Sequence, residues 1–183
     1  MITRRSVGLF ILMVLAAPAL ARAQRDPSNA GSEYRFAAGD QLRITVFGNP
    51  DLTGTFAISA TGNLSYPLIG DVPALGLTAT ELADRLTERL RDGYVRNPRI
   101  AIEVAAYRPF FILGEVQRPG SYPYTANLTV HNAIATAGGW TPRANRRRVF
   151  IKHSGEDDER AYPLQSDTPV APGDTVRIGE RWF

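Results

Sequence analysis

The chain has 183 residues, 44% of them apolar and 21% charged, with 16 Gly, 13 Pro and no Cys. That composition belongs to a globular protein and excludes a disordered tail, a multi-span membrane protein, a disulfide scaffold, a thiol enzyme and a cysteine zinc site. The net charge of +3 does not point to nucleic acid: Arg4, Arg5 and Arg22 lie in the first 23 positions, where there is no acid, leaving 18 basic and 18 acidic residues in the rest.

Residues 1–23 have the three parts of a secretory signal. Arg4 and Arg5 supply the positive start, Val7 to Leu15 the apolar run, and Ala21-Arg22-Ala23 the small residues a signal peptidase reads. The run falls short of the roughly 20 residues that span a bilayer, so cleavage after Ala23 and an exported, periplasmic product are expected. Thr3-Arg4-Arg5 leaves the choice between general secretion and twin-arginine export open. Residues 24–32 are small, polar and aperiodic, a flexible lead-in.

From Glu33 the pattern tightens. Leu42, Ile44 and Val46 alternate with polar neighbours after the turn signal Gly39-Asp40, which predicts a half-buried strand. Phe56 and Ile58 begin a second strand, Thr61-Gly62-Asn63 forms a hairpin tip, and Leu64, Tyr66 and Leu68 read as one returning strand that ends at Ile69-Gly70-Asp71. The period then changes. Thr78 and Glu81 form a capping box ahead of Leu82, Leu86 and Leu90, the buried stripe of a helix that Gly93 ends. Ile100, Ile102 and Val104 follow as a strand after Asn97-Pro98.

A second unit starts near Tyr107. Phe110 to Leu113 is a strand, Arg118-Pro119-Gly120 a turn, and Tyr122 and Tyr124 lie on the strand that returns. Thr129 opens a short helix with apolar positions Val130, Ala133, Ile134 and Ala137, stopped by Gly138-Gly139. Val149-Phe150-Ile151 and Arg160 to Leu164 flank a polar hairpin loop, and Val176-Arg177-Ile178 is the closing strand after Pro172-Gly173-Asp174. Two echoes link the units: Gly39-Asp-Gln-Leu-Arg-Ile44 with Gly173-Asp-Thr-Val-Arg-Ile178, and Leu68-Ile-Gly-Asp-Val72 with Ile112-Leu-Gly-Glu-Val116. The expected fold class is α+β, two small sheet-plus-helix units at 33–106 and 107–183.

The sequence carries few groups in reactive settings. The two histidines, His131 and His153, read as a solvated or capping side chain and a hairpin-edge side chain. There is no nucleophile elbow, phosphate loop, metal-ligand cluster or cofactor motif, so a non-enzymatic, cofactor-free and metal-free protein is expected. One charged feature remains. Arg143, Arg146, Arg147, Arg148 and Lys152 concentrate five of the 18 basic residues outside the leader within ten positions. Arginine binds carboxylate and phosphate groups bidentately, so such a segment suits the path of an acidic polymer. The alternative is a solvated hairpin edge balanced internally by Glu156, Asp157, Asp158 and Glu159. Tyr66, Tyr107, Tyr122, Tyr124 and Trp140 offer faces for sugar stacking or, more commonly, sheet packing.

Tyr34-Arg-Phe-Ala-Ala-Gly39-Asp40-Gln-Leu-Arg-Ile, Tyr66-Pro67-Leu-Ile-Gly70, Gly76-Leu-Thr and Arg96-Asn-Pro98 together resemble the polysaccharide export domain. Phe111-Ile-Leu-Gly114-Glu-Val, Arg118-Pro119-Gly120-Ser-Tyr, Ala137-Gly138-Gly139 and Pro172-Gly173-Asp174 resemble the soluble-ligand-binding β-grasp (SLBB) domain. The resemblance covers residues 33–183 and implies a Wza-type polysaccharide exporter. Such a protein is a ring-forming homo-oligomer around a conduit for capsular polysaccharide or exopolysaccharide, fed by an inner-membrane co-polymerase. Three departures stand out. There is no lipobox Cys, a single β-grasp unit is present, and Phe183 follows the last strand closely. These lead to the expectation of a periplasmic ring component, peripheral to the outer membrane, that works with a separate outer-membrane pore protein. A monomeric carbohydrate- or small-ligand-binding module is the alternative.

Overall fold

The computed structural model describes residues 34–165 and 167–181. The expected secretory leader and lead-in lie outside the described residues.

Alternation builds the first sheet as its pattern dictates. In β1 (Gln41–Val46), Leu42, Ile44 and Val46 point inward and are fully or almost fully buried. β1 pairs antiparallel with β2 (Gly54–Ala57) on one side and β5 (Ile100–Ala106) on the other, giving the order β2-β1-β5. α1 (Ala79–Arg91) covers this sheet's inner side. Its capping box is complete: Thr78 Oγ1 accepts from Glu81 N at 3.2 Å, and Thr78 N donates to Glu81 Oε2 at 2.8 Å. Leu82, Leu86 and Leu90 have no exposed surface, each worth about 1.5–3 kcal/mol of burial. Gly93 has positive φ just beyond the helix. Arg85 and Arg89 donate to the carbonyls of Pro73 and Asp71, pinning the helix to a small hairpin.

That hairpin corrects the sequence reading. β3 (Asn63–Tyr66) and β4 (Gly70–Pro73) are two strands, with Tyr66 paired to Gly70 across a three-residue turn. Leu68 is therefore no strand residue: it sits in the turn with φ +69° and is 58% exposed. Pro67 cannot extend a ladder through an N–H, and Gly70 takes the second left-handed position.

The second sheet has the order β7-β6-β10-β8-β9. Its strands are β6 (Phe110–Gly114), β7 (Gly120–Tyr122), β8 (Ala144–Lys152), β9 (Arg160–Pro163) and β10 (Thr175–Glu180). β6 and β10 run parallel; the other pairs are antiparallel. Tyr124 lies past the end of β7 and is not a strand residue. α2 (Val130–Thr136), capped by Thr129, sets Val130, Ala133 and Ile134 against Phe110, Ile112, Val149, Ile151, Val176 and Ile178. The architecture is α+β, with one hydrophobic core under each helix.

The described residues fall in one compact unit, and the two cores meet at a specific joint. Tyr107 packs edge-on to Tyr34 at 4.9 Å and to Tyr124 at 5.3 Å. Arg108 N donates to Asp40 Oδ1 at 3.1 Å, and Arg108 Nη1 lies 3.8 Å from Asp40 Oδ2. The same side chain presses on the far turn: a Cβ on Gly173 would stand 2.3 Å from Arg108 Nε.

Candidate functional site: an arginine-lined bulge

β8 begins well before Val149, so the basic cluster is carried by a strand and its lead-in. The β8–β10 ladder pairs Ile178 with Val149, then skips to pair Glu180 with Ala144. Between these rungs β8 has four residues, 145–148, where β10 has only Gly179. This register shift is a bulge with three surplus residues on β8, and bulges re-aim side chains at sheet edges and sites. Local bonds hold it: Asn145 Oδ1 accepts from Arg147 N at 2.9 Å, and Arg147 O accepts from Leu164 N at 2.9 Å. Arg146, Arg147 and Arg148 are all exposed as a result.

A cavity of about 550 Å³ opens at the bulge, lined by Pro142, Ala144, Asn145, Arg146, Arg147 and Arg181. Three of these six carry a guanidinium and none a carboxylate. Arg146 is steadied over the Trp140 ring at 5.9 Å, a cation–π contact. Arg181 N donates to Arg143 O at 2.8 Å, which holds the chain after β10 against the start of β8. A second recess, of about 470 Å³, lies between Arg147, Arg148, Ala161 and Pro163.

The five basic residues singled out in the sequence are thus divided. Arg146 and Arg147 share the main cavity, and Arg148 joins Arg147 at the second recess. Arg143 is paired with Glu180. Lys152 stands four residues beyond Arg148, about 13 Å along the strand. Two of the neighbouring acids have arginine partners outside the cluster. Glu156 pairs with Arg160 at 3.2 Å and Glu159 with Arg177, and the bond from Arg177 holds the Glu159 carboxyl below its usual range. Sequence reasoning missed Asn145 and Arg181. Asn145 could have been read as a turn former within the arginine run, whereas Arg181 joins only through strand pairing across more than 30 residues.

A family model described as polysaccharide biosynthesis/export protein matches residues 28–105, and an SLBB domain model matches residues 109–165. Exopolysaccharide production protein ExoF from Rhizobium meliloti (strain 1021) is 34% identical over 81% of this chain and 37% of its own length. Polysialic acid transport protein KpsD from Escherichia coli is 22% identical over 81% of this chain and 28% of its own length. The chain belongs to the polysaccharide biosynthesis/export family. It spans little more than a third of the length of the first of these relatives and less than a third of the second.

In this export-family chain, the residues that carried the resemblance are mostly turns and joints. Gly39-Asp40 and Gly173-Asp174 precede β1 and β10, Pro67 and Gly70 form the β3–β4 turn, and Pro98 is buried ahead of β5. Pro119 lies between β6 and β7, Gly120 opens β7, and Gly138 and Gly139 follow α2. Gly114 ends β6 with φ +83°, and a Cβ there would fall 2.0 Å from Ile178 O, so the parallel pairing with β10 requires glycine.

Neither histidine lines the arginine cavity or the second recess. His131 Nδ1 meets Gln165 O at 3.1 Å, and its ring lies edge-on to Trp140. His153, expected at a solvated edge, is half-buried instead: Nδ1 meets Asp174 Oδ2 at 3.0 Å and Nε2 meets Tyr162 Oη at 3.2 Å. Both ring nitrogens are engaged in a structural bridge. Among the described residues no group of three His, Asp or Glu side chains is arranged to hold a metal ion. No described helix is long and apolar enough to cross a membrane.

Proposed function

We propose that this export-family chain is a periplasmic, non-enzymatic component of a capsular polysaccharide or exopolysaccharide export machine. Copies of it form a ring around the polymer's path toward and across the outer membrane. The observation that carries the reading is the succession of an export domain and an SLBB domain in one chain, aligned along both with an exopolysaccharide production protein. The work of such a body is to hold rigid sheet faces beside one another, and its interior suits that task. Each core is built from fully buried Leu, Ile, Val and Phe side chains. The joint at Arg108 ties the two sheets together. An inner-membrane co-polymerase would supply the polymer, and a separate outer-membrane pore protein would complete the route. The basic face of β8 is the surface offered to the cargo.

Deletion of the gene, followed by quantification of surface glycan, tests the pathway: glycan output should collapse and return on complementation. Light scattering after size exclusion tests the ring, which requires a closed oligomer of defined mass. Unchanged glycan output would overturn the export role. A strict monomer at high concentration that also fails to assemble on the co-polymerase would overturn the conduit. The β8 cavity equally suits a second reading, a monomeric carbohydrate-binding module, and the mass measurement separates the two.

A further inference from the structure

We propose that the free edge of β5 is where two copies of this chain join, their β5 strands pairing antiparallel about a two-fold axis at Ile102. The choice of a second copy as the occupant rests on the reading that copies assemble; the register comes from the strand itself.

β5 ends the sheet β2-β1-β5, so one of its sides has no neighbouring strand. The ladder to β1 fixes which groups point there. Phe47 N donates to Arg99 O at 3.0 Å, one step past the Val46–Ile100 rung, so the hydrogen-bonded rungs are Thr45–Ala101 and Arg43–Glu103. Bonded and non-bonded rungs alternate in an antiparallel pair, which turns the N–H and C=O of Ile100, Ile102 and Val104 away from β1. Among the described residues no strand and no side chain pairs with these groups. The same three side chains face the core yet stay half-buried, whereas Leu42, Ile44 and Val46, one strand in, are sealed. Nor is this edge guarded. Exposed edges are commonly kept short or given Lys or Pro: β7 has three residues, β2 four, and β9 four ending in Pro163. β5 has seven, with neither proline nor a basic residue, and the register shift at Gln41/Leu42 lies beyond Val104.

The pattern selects one register. Ile102 opposite the partner's Ile102 sets Ile100 opposite the partner's Val104, satisfies every outward backbone group and continues the apolar face. Glu103 then meets the partner's Ala101, whereas an axis at Glu103 would oppose the two acids. The helix leaves room for this. Arg85 and Arg89 tie one flank of α1 to the β3–β4 hairpin, and the other flank carries the small residues Ala79, Ala83 and Thr87. The product is a continuous sheet, β2-β1-β5-β5-β1-β2, with both helices on one face. A ring assembled from such pairs holds an even number of copies.

Hydrogen exchange and light scattering on the purified chain across a dilution series test this. Rising concentration should protect the amides of Ile100, Ile102 and Val104 as even-numbered assemblies appear. Those of Ala101 and Glu103, already bonded to β1, should exchange slowly throughout. Ala101→Glu, on the sheet face turned away from α1, sets an acid opposite the partner's Glu103 at two symmetric places and should weaken association about tenfold. Ala101→Lys should tighten it to a similar degree. Assembly without protection of the three amides would overturn this pairing and leave the export reading intact. Protection that ignores concentration would mean that the chain covers its own edge, and equal association of folded Ala101→Glu and Ala101→Lys variants would remove the register; either overturns the proposal. A monomer at every concentration overturns it too, whereas the conduit falls only if the chain also fails to assemble on the co-polymerase.

Discussion

The turns before β1 and β10 are one device built twice. In the first, Ala37 N donates to Asp40 Oδ2 at 2.8 Å, Asp40 N to Ala37 O at 3.2 Å, and Ile58 N to Asp40 O at 2.9 Å. In the second, Ala171 N donates to Asp174 Oδ2 at 2.8 Å, Asp174 N to Ala171 O at 3.2 Å, and Phe111 N to Asp174 O at 2.8 Å. Both aspartates are buried, yet their remaining partners differ. Asp40 takes the Tyr34 hydroxyl and the backbone and guanidinium of Arg108. Asp174 takes Ser154 N and the His153 ring. The backbone of the motif is therefore interchangeable, while its third side is specialised. One copy joins the two sheets through a permanent cation, and the other closes the β8–β9 hairpin through an imidazole.

Removing the acids should expose that difference most strongly. Asp40→Ala leaves the Arg108 guanidinium partly buried without its counter-charge, and the loss should be about 3–5 kcal/mol. Asp174→Ala removes hydrogen bonds but strands no obligate cation, so a loss of about 1–3 kcal/mol is expected. Urea midpoints of the two variants measure the gap. Equal losses would show that the joint at Arg108 contributes no more than the hairpin closure does.

The glycines give the next contrast. Both have left-handed φ, +91° at Gly39 and +82° at Gly173, so alanine costs about 1–2 kcal/mol at either from backbone strain alone. A Cβ on Gly39 meets Arg108 Cβ at an ordinary 3.6 Å, but on Gly173 it would meet Arg108 Nε at 2.3 Å and Ser154 Oγ at 3.0 Å. Gly173→Ala should therefore be worse by about 1–3 kcal/mol of overpacking. Added to an Arg108→Ala background, Gly173→Ala should cost less than in the parent, whereas full additivity would place the clash elsewhere.

These comparisons also show what the sequence discloses and why. The Thr78–Glu81 capping box and the Leu82, Leu86, Leu90 stripe were legible because every partner lies within a few turns of one helix. The Gly-Asp echo pointed to a true structural repeat, since a turn is set by its own residues. The second echo did not. Leu68 is exposed in a hairpin turn and Ile112 is buried in the middle of β6, although the two segments read alike. At the candidate site, the arginines were visible as a charge run. Their division among a cavity, a recess, a salt bridge and an outlying position was not, because it depends on the register that β8 adopts against β10. Arg181 enters for the same reason.

The mildest way to separate the turns works only in alkali. Burial first, and then the bond to Asp40, push the Tyr34 hydroxyl well above its ordinary pKa of 10.0; burial also pushes Tyr66 up to about 12. Neutral tyrosine is favoured in the fold, so the stability these two groups confer is intact below pH 10. It declines at higher pH, as the unfolded chain ionises while the folded chain holds its protons. The Tyr34 hydroxyl donates to Asp40; at the second turn the tyrosine, Tyr162, contacts His153. Tyr34→Phe should therefore flatten the loss of stability between pH 10 and 12. Denaturation midpoints across that range decide the matter, and parallel slopes for the Tyr34→Phe variant and the parent would remove Tyr34 from the alkaline response. At pH 7 this linkage is silent, and the same Tyr34→Phe variant then reports only the hydrogen bond, about 1 kcal/mol.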